Sequence, residues 1–336
     1  MPQEVEILEV AGRQVRVTNP SKLYFPALGL TKLDLVRYWL SVASGALTGC
    51  RDRPTLLKRH PNGVDGDFFY QKRVPASRPG WIQTVRVRFP SGRSAEFLVM
   101  RDEAHLAWAI NLGCLELHPW GVRANDTEHP DEMRFDLDPT PEVPFSDVRR
   151  TALLVRETLH GLGLDAFPKT SGKRGIHVLM RIEPRWDFLD VRRAALALGR
   201  EVERRAPGLA TTAWWKEERR GVFVDYNQNA RDRTLAAAYS VRPMPDGRVS
   251  CPITWDEVPD VEPADLTIAT VPERFRERGD AMARIDERAH SLEPLLELAD
   301  RQEDEGMQEA PFPPHFPKAE REPTRVAPSR AKKARR

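Results

Sequence analysis

Cysteine is scarce: the 336 residues include three, Cys50, Cys114 and Cys251, and no C-x-x-C pair. Neither a disulfide framework nor a four-cysteine zinc site is indicated. Also missing is any apolar run of about eighteen residues, the minimum for a membrane-spanning helix. The first ten residues, MPQEVEILEV, carry neither a basic n-region nor an apolar h-region. Cytoplasmic residence with no membrane contact is the default expectation. Net charge is scarce as well, only +2 over the whole chain. That figure conceals an imbalance: residues 310–336 hold eight Lys/Arg against two Asp/Glu, a balance of +6, so the remainder is −4. Nucleic-acid contact by the folded body must therefore come from a local patch.

What is present is ordinary globular composition, 40% hydrophobic and 30% charged. Val5–Val17 alternates around Ala11-Gly12-Arg13 and predicts a strand hairpin. Thr31 with Asp34 three residues on predicts a capped helix reaching about Ala46. Strand patterns recur at Thr55–Lys58, Phe68–Lys72, Thr84–Phe89 and Ala95–Val99, the last two joined at Ser91-Gly92, and Glu103–Asn111 reads as a helix. The pattern then becomes strand (Met133–Leu137), helix (Phe145–Leu159), strands (Ala166–Lys169 and Ile176–Ile182), helix (Phe188–Arg205) and strand (Gly221–Tyr226). That order suits a small antiparallel sheet with helices on one face, a ferredoxin-like (RRM-like) α/β arrangement of the α+β kind. A further helix is expected over Ser291–Ala299. Beyond Glu303 the chain is Pro-rich and basic with few apolar residues, so 304–336 is expected to be disordered. The body reads as one domain, 1–303, with an N-terminal α/β module to about 130 and a second module over 131–303.

Chemistry concentrates in three segments. In Arg134-Phe135-Asp136-Leu137-Asp138-Pro139 the alternation of a strand puts Asp136 and Asp138 on one face. Paired carboxylates on an apolar strand repel unless a cation neutralises them, which hard divalent ions do with oxygen ligands. The alternative is a solvated strand end turning at Pro139. Gly221–Asp225 is a second apolar strand ending in a carboxylate, which a two-metal site requires and a terminating turn also explains. Between them, Lys169-Thr170-Ser171-Gly172-Lys173-Arg174-Gly175-Ile176-His177 offers glycines for amide approach to an anion and basic side chains for phosphates. It does not meet the Walker pattern, and alone it would also suit a basic hairpin with a structural histidine.

Taken together, D-x-D, then S-G-K-x-G-x-H, then hydrophobic-Asp resembles the three motifs of the archaeo-eukaryotic primase superfamily. More closely it resembles the polymerase domain of bacterial ligase D and its stand-alone relatives. The resemblance runs from about Val15 to Phe275 through TNPSKLYFP, LLKRHPNG, FFYQKRVP, LELHPWGVR, RFDLDPTP, KTSGKRGIHV, VFVDYNQNARDRTLAAAYSVRP and PITWDEV. It implies a primase-polymerase fold and a metal-dependent nucleotidyltransferase that adds ribo- or deoxynucleotides to primer 3′ ends. The implied substrates are gapped DNA or ends with a 3′ overhang and a 5′-phosphate, in gap filling or non-homologous end joining. The resemblance assigns Asp136, Asp138 and Asp225 to two ions, Mn²⁺ or Mg²⁺ with manganese preferred. One ion would activate the 3′-hydroxyl and the other would stabilise the leaving pyrophosphate.

By the same resemblance Ser171, Lys173 and His177 grip the triphosphate of an NTP or dNTP, with Lys58 and Arg242 nearby. Asn19, Lys22 and Lys32 form a 5′-phosphate pocket, and Phe68 and Phe69 stack on template bases. Without the resemblance, Lys22 and Lys32 read as surface lysines, and one of the two Phe residues as core, since strand neighbours face opposite ways. Departures also inform. No Lys-x-Asp-Gly of a nucleotide-charging ligase, no histidine-rich nuclease module and no cysteine-bound zinc element is present. The chain is thus expected to work as a polymerase alone, on nucleoid DNA, with end-binding and ligase proteins acting in trans. The rival reading is a non-catalytic module that bridges DNA ends through the phosphate pocket and aromatics, and metal-dependent incorporation separates the two.

Overall fold

The computed structural model describes residues 4–89, 93–313 and 323–330. The expected hairpin is there as β1 (Val5–Val10) against β2 (Arg13–Thr18), followed by short β3 (Leu23–Phe25) and β4 (Leu30–Thr31). Thr31 and Asp34 form the reciprocal capping box, with Thr31 N donating to Asp34 Oδ2 at 2.9 Å. The helix it starts does not run on to Ala46. Helix α1 (Lys32–Ser41) ends where Ser41 Oγ turns back to donate to Tyr38 O, and α2 (Ala43–Cys50) resumes after Val42. Gly45 in α2 admits the rings of Tyr239 and Phe275, since a Cβ there would lie 2.6 Å from Tyr239.

Next come β5 (Pro54–Arg59), β6 (Phe69–Gln71), β7 (Thr84–Arg88), β8 (Ser94–Val99), α3 (Glu103–Asn111) and β9 (Cys114–Pro119). They make a second sheet in which β9 lies along one side of β5, while β6 and β8 share its other side. Strand β9 is wholly buried and had no counterpart in the sequence reading. Its Glu116 and His118 disguise it as a half-polar segment. The turn expected at Ser91-Gly92 lies outside the described residues.

The third sheet uses β10 (Glu132–Pro139), β11 (Phe167–Thr170), β12 (Ile176–Arg181), β13 (Ala210–Thr211) and β14 (Val222–Asp225), with α4 (Phe145–Gly161) and α5 (Phe188–Arg205) as crossovers. Its order, β11-β12-β10-β14-β13, contains the antiparallel ferredoxin-like arrangement that the strand and helix sequence implies. Phe135 and Leu137 join the core with Val148, Ala152 and Val155 of α4. Alternation then turns Asp136 and Asp138 to the other face. One hydrophobic core runs from Val10 in the first hairpin to Leu295 near the end, so the sheets share their packing. Helices α6 (Val271–Arg278) and α7 (Glu293–Asp304) complete the body. Among the described residues no helix is long and apolar enough to cross a membrane.

Disorder expected over 304–336 does not hold for the described part of that segment. Phe312 is buried, its N donates to Thr324 O at 2.8 Å, and Val326 N donates to Phe312 O at 3.0 Å. The Arg192 guanidinium stands 4.6 Å from the Phe312 ring and donates to Pro311 O at 2.6 Å. Lys216 N reaches Pro328 O at 2.8 Å. Average composition misses a segment held by one aromatic anchor and backbone hydrogen bonds. Residues 314–322 and 331–336 lie outside the described set.

Candidate active site

Four side chains form a row across the third sheet. Register pairs Lys169 of β11 with His177 of β12, His177 with Asp136 of β10, and Asp136 with Asp225 of β14. Asp138 follows two residues further along the same face of β10. Burial, then Asp225, then Asp138 push the Asp136 carboxyl up to about 8. Burial and Asp225 likewise push Asp138 up, against the pull of Arg219, Arg174 and Lys216. Asp225 accepts from Asn227 N and from Gln228 Nε2, both at 2.9 Å. Among the described residues no three acids, histidines or cysteines are gathered closely enough to hold an ion as they stand. The donor set nonetheless fits a hard cation: the Asp225 charge beside Asp136 and Asp138 helps push both toward protonation, which a positive charge would reverse.

His177 Nε2 is 3.4 Å from Asp136 Oδ1, and its Nδ1 is 2.6 Å from Lys169 Nζ. Burial and the Lys169 charge hold the imidazole well below its ordinary pKa, so the ring is neutral at physiological pH. Lys169 is itself buried, and burial with Arg242 pulls it down to about 7 against the attraction of Asp136. Beside this row, Ser171 Oγ accepts from Lys173 N (3.2 Å) and Gly175 N (3.0 Å), closing a tight loop. Gly172 has φ +71, and a Cβ there would lie 2.5 Å from Arg242 Cγ. The missing side chain is what lets Arg242 lie against the loop. Lys173 is exposed, and partial burial with Arg242 lowers its pKa.

A second row crosses the other sheet: Tyr70 of β6, Lys58 of β5 and Glu116 of β9 stand opposite one another. Glu116 collects Lys58 Nζ at 2.6 Å, Arg242 Nη1 at 2.5 Å and His118 Nε2 at 3.3 Å. Although burial favours its protonated form, these partners hold Glu116 well below the usual carboxylate range. Through Arg242 it ties the N-terminal sheet to the glycine loop. His118 Nδ1 and Arg242 Nε are buried without a partner among the described residues. Arg242 Nε–H is a donor open to an anion, whereas neutral His118, with its hydrogen on Nε2 toward Glu116, presents a lone pair at Nδ1. Sequence reasoning assigned neither Glu116 nor His118 a role. The available signal was polar residues at alternate positions of an otherwise apolar strand.

The remaining assignments fall around the N-terminus of α1. Asn19 is exposed with φ +50, and its carbonyl accepts from Lys22 N at 3.1 Å. Lys22 is exposed and donates to Pro61 O (2.8 Å) and Asn62 Oδ1 (2.9 Å). Lys32 is buried, not the surface residue its sequence context suggests, and donates to Thr18 O at 2.6 Å. Burial, Lys22 and Arg59 together pull Lys32 down to about 8. Among the described residues neither lysine has an acidic partner. Arg59, which the sequence reading passed over, is the third cation. Being next to Lys58 on β5 it faces the opposite side, where it pairs with Phe69 in register and lies 5.1 Å from its ring.

Phe68 and Phe69 are both exposed, at 54% and 46%, so the expectation that one is core is wrong. Phe68 precedes the three-residue edge strand β6, where alternation does not govern it. Its ring stacks on His60 at 5.4 Å and lies 4.6 Å from Lys58 Nζ. His60 is buried with both ring nitrogens unpartnered among the described residues, and burial followed by Lys58 lowers it to about 4.

Comparison with known proteins agrees with this architecture. The family model for the LigD primase-polymerase domain matches residues 31–282. The chain is 32% identical over 276 residues to the multifunctional non-homologous end joining protein LigD of Mycolicibacterium smegmatis, covering 81% of this chain and 36% of that protein. It is 28% identical over 269 residues to the bifunctional non-homologous end joining protein LigD of Bacillus subtilis, covering 79% and 43%. The chain thus spans well under half of these relatives. Among solved structures, the polymerase domain of Mycobacterium tuberculosis ligase D in complex with DNA superposes with a TM-score of 0.76 at 31% identity. That match covers 82% of this chain and 99% of the other. The chain belongs to the LigD primase-polymerase domain family.

Proposed function

We propose that the chain is a nucleotidyltransferase of DNA repair that extends primer 3′ ends, with ribo- or deoxynucleotides, at gaps and broken ends bearing a 5′-phosphate. The observation that carries this reading is the adjacency of two charge systems: three carboxylates on β10 and β14, and the Lys173–Arg242–Lys58 cations beside the glycine loop. Asp136, Asp138 and Asp225 would hold two divalent ions, Mn²⁺ or Mg²⁺, which supply Lewis acidity to the attacking and leaving oxygens. Lys173, the Ser171–Gly175 loop and Arg242 bind the triphosphate, and the unpartnered Arg242 Nε–H suits its oxygens. Lys22, Lys32 and Arg59 receive the 5′-phosphate, an anion of nearly two charges. Phe68 and Phe69 offer stacking faces to unpaired template bases. End-binding and ligase proteins would act in trans.

The test is incorporation of labelled nucleotide on a singly gapped duplex with a 5′-phosphate, NTPs and dNTPs being compared under Mn²⁺ and Mg²⁺. Extension that depends on metal and template supports the reading. DNA binding without extension under any of these conditions would replace it with an end-bridging role.

A further inference from the structure

Residues 309–313 and 323–330 lie beyond the stretch matched by the family model and carry no role so far. They are seated on Arg192 of α5, a buried arginine. Its guanidinium donates to Pro311 O at 2.6 Å and, more distantly, to Ala310 O at 3.4 Å. Its Nε donates to Asn227 Oδ1 at 3.1 Å. The rings of Phe312 and Tyr226 lie 4.6 Å and 5.1 Å from it. The one carboxylate within 4 Å among the described residues, Glu309 at 3.9 Å, also belongs to this segment. Burying a guanidinium without acceptors is costly, so the C-terminal segment is what lets Arg192 lie inside the fold.

The far end of the segment holds a loop. Lys216 N donates to Pro328 O at 2.8 Å, and Glu217 Oε1 accepts from Ser329 Oγ and from Arg330 N at 3.0 Å. Arg330 pairs with Glu218 at 2.7 Å and lies 4.5 Å from the Trp215 ring. The two ends meet at Phe312, whose N donates to Thr324 O while its carbonyl accepts from Val326 N. Both ends bear on β14. The loop over residues 212–220 leads into it, and there the Arg219 guanidinium lies 3.4 Å from the ring of Phe223, the register partner of Asp138. The turn over 226–229 leaves it, and there Asn227, held by Arg192, donates its N–H to Asp225 Oδ1 at 2.9 Å.

We propose that the C-terminal segment is a brace for the catalytic edge of the third sheet: seated on Arg192 and jointed at Phe312, it fixes the turn that caps Asp225 and the loop that lies over Phe223. Arg192 and Phe312 are then positioning residues, acting on Asp225 through Asn227 and on the loop through Pro328. The inference rests on the nucleotidyltransferase reading for what Asp225 does, although the brace itself can be observed without metal or DNA.

Amide hydrogen exchange in the full chain, free of metal and DNA, reads the brace at Lys216 and Asn227, with Val178 in the middle of β12 as internal control. Phe312→Ala should speed exchange at Lys216 and Asn227 by at least about tenfold and leave Val178 unchanged, the pattern of local rather than global opening. Glu217→Ala removes the loop contact alone, so it should speed Lys216 and spare Asn227. Mn²⁺ binding, read by electron paramagnetic resonance of the free ion, should weaken about tenfold in Phe312→Ala, the low end of what losing an outer partner of a ligand costs. Unchanged exchange at Lys216 and Asn227 in folded Phe312→Ala, or a Mn²⁺ affinity that this variant does not move, overturns the proposal. If Phe312→Ala does not fold, the wild type decides: Lys216 exchanging near the free-chain rate means that no brace holds the loop. If the wild type neither binds Mn²⁺ nor adds nucleotide while exchange behaves as stated, the functional reading falls and the brace stands.

Discussion

Lys169, His177, Asp136 and Asp225 stand on four adjacent strands of one sheet, whereas Lys22, Phe68 and Phe69 stand on loops and at a sheet edge. In the first region register fixes every neighbour, so a change at one position alters the charge balance of the next. In the second, the groups are exposed and held by backbone carbonyls or ring stacking, as Lys22 is by Pro61 and Phe68 by His60. The same kind of substitution therefore means different things. In the sheet it tests stability and chemistry together, while at the edge it tests binding almost alone.

The largest effect is expected where the two meanings point in opposite directions. Asp136→Ala or Asp225→Ala should lower nucleotide addition by at least about a thousandfold, because a ligand to the reacting centre is lost. Metal-free stability should stay level or rise, since each change relieves repulsion between carboxylates paired in register. Incorporation assays and thermal melts on the same preparations check both halves. Activity within tenfold of wild type would remove these aspartates from the reaction.

Glu116→Gln sharpens the contrast from the N-terminal sheet. It leaves Lys58, Arg242 and His118 facing a neutral amide in a buried site. A loss of about 3 kcal/mol in unfolding free energy is expected, the scale for breaking a buried charge network on one side. Denaturant unfolding measures it. A loss under about 0.5 kcal/mol, typical of a surface change, would mean that solvent reaches the cluster freely.

A third, smaller effect concerns pH. The folded-state pKa of Asp136 is raised from its ordinary 3.8 to about 8, so the folded protein binds its proton more tightly than the unfolded chain does. Stability from this group is fully present below pH 3.8 and is lost as pH rises through 8. Metal-free protein should therefore lose roughly 1–3 kcal/mol across that window, with local water limiting the amount. Asp136→Asn should flatten this slope. Divalent ions, which favour the carboxylate, should flatten it too. An identical slope in Asp136→Asn would assign the dependence to other groups.

How much of this was legible in the sequence follows the same division. The ferredoxin-like order could be read because its strands are apolar runs and its helices have clear periodicity, and the carboxylate pair followed from simple alternation on β10. Strand β9 could not, since Glu116 is buried only because Lys58 and Arg242, distant in the chain, neutralise it, and His118 turns its Nε2 to the same carboxylate. Lys169 was hidden for a similar reason. Its partners come from β12 and from the segments around Ala236 and Ser250, and no spacing rule joins them. The burial of Lys32 beneath Thr18 and the anchoring of Phe312 by Arg192 are likewise products of long-range packing. The resemblance to a known family grouped Lys32 with Asn19 and Lys22, but said nothing of Arg59.

Lys22→Ala should have the smallest effect, and it isolates the edge region. Lys22 is exposed, has no acidic partner among the described residues, and spends its hydrogens on Pro61 O and Asn62 Oδ1. Losing those two contacts should change stability by less than about 0.5 kcal/mol, the usual range for a surface substitution. Binding should respond instead. A 5′-phosphate offers Lys22 charge-assisted hydrogen bonds that a 5′-hydroxyl cannot match, worth about 1–2 kcal/mol or roughly tenfold in affinity. Wild-type protein should prefer the phosphorylated gap by at least that factor, because Lys32 and Arg59 share the work. In Lys22→Ala the preference should shrink while affinity for the hydroxyl-ended gap stays nearly constant. Lys32→Ala is the poorer probe, since a buried lysine bonded to the Thr18 carbonyl also supports the fold. Equilibrium binding to the two gapped duplexes at one moderate salt concentration gives the ratio directly. Equal affinities in the wild type would mean that these cations serve the DNA backbone generally, and the edge region would lose its claim to read a DNA end.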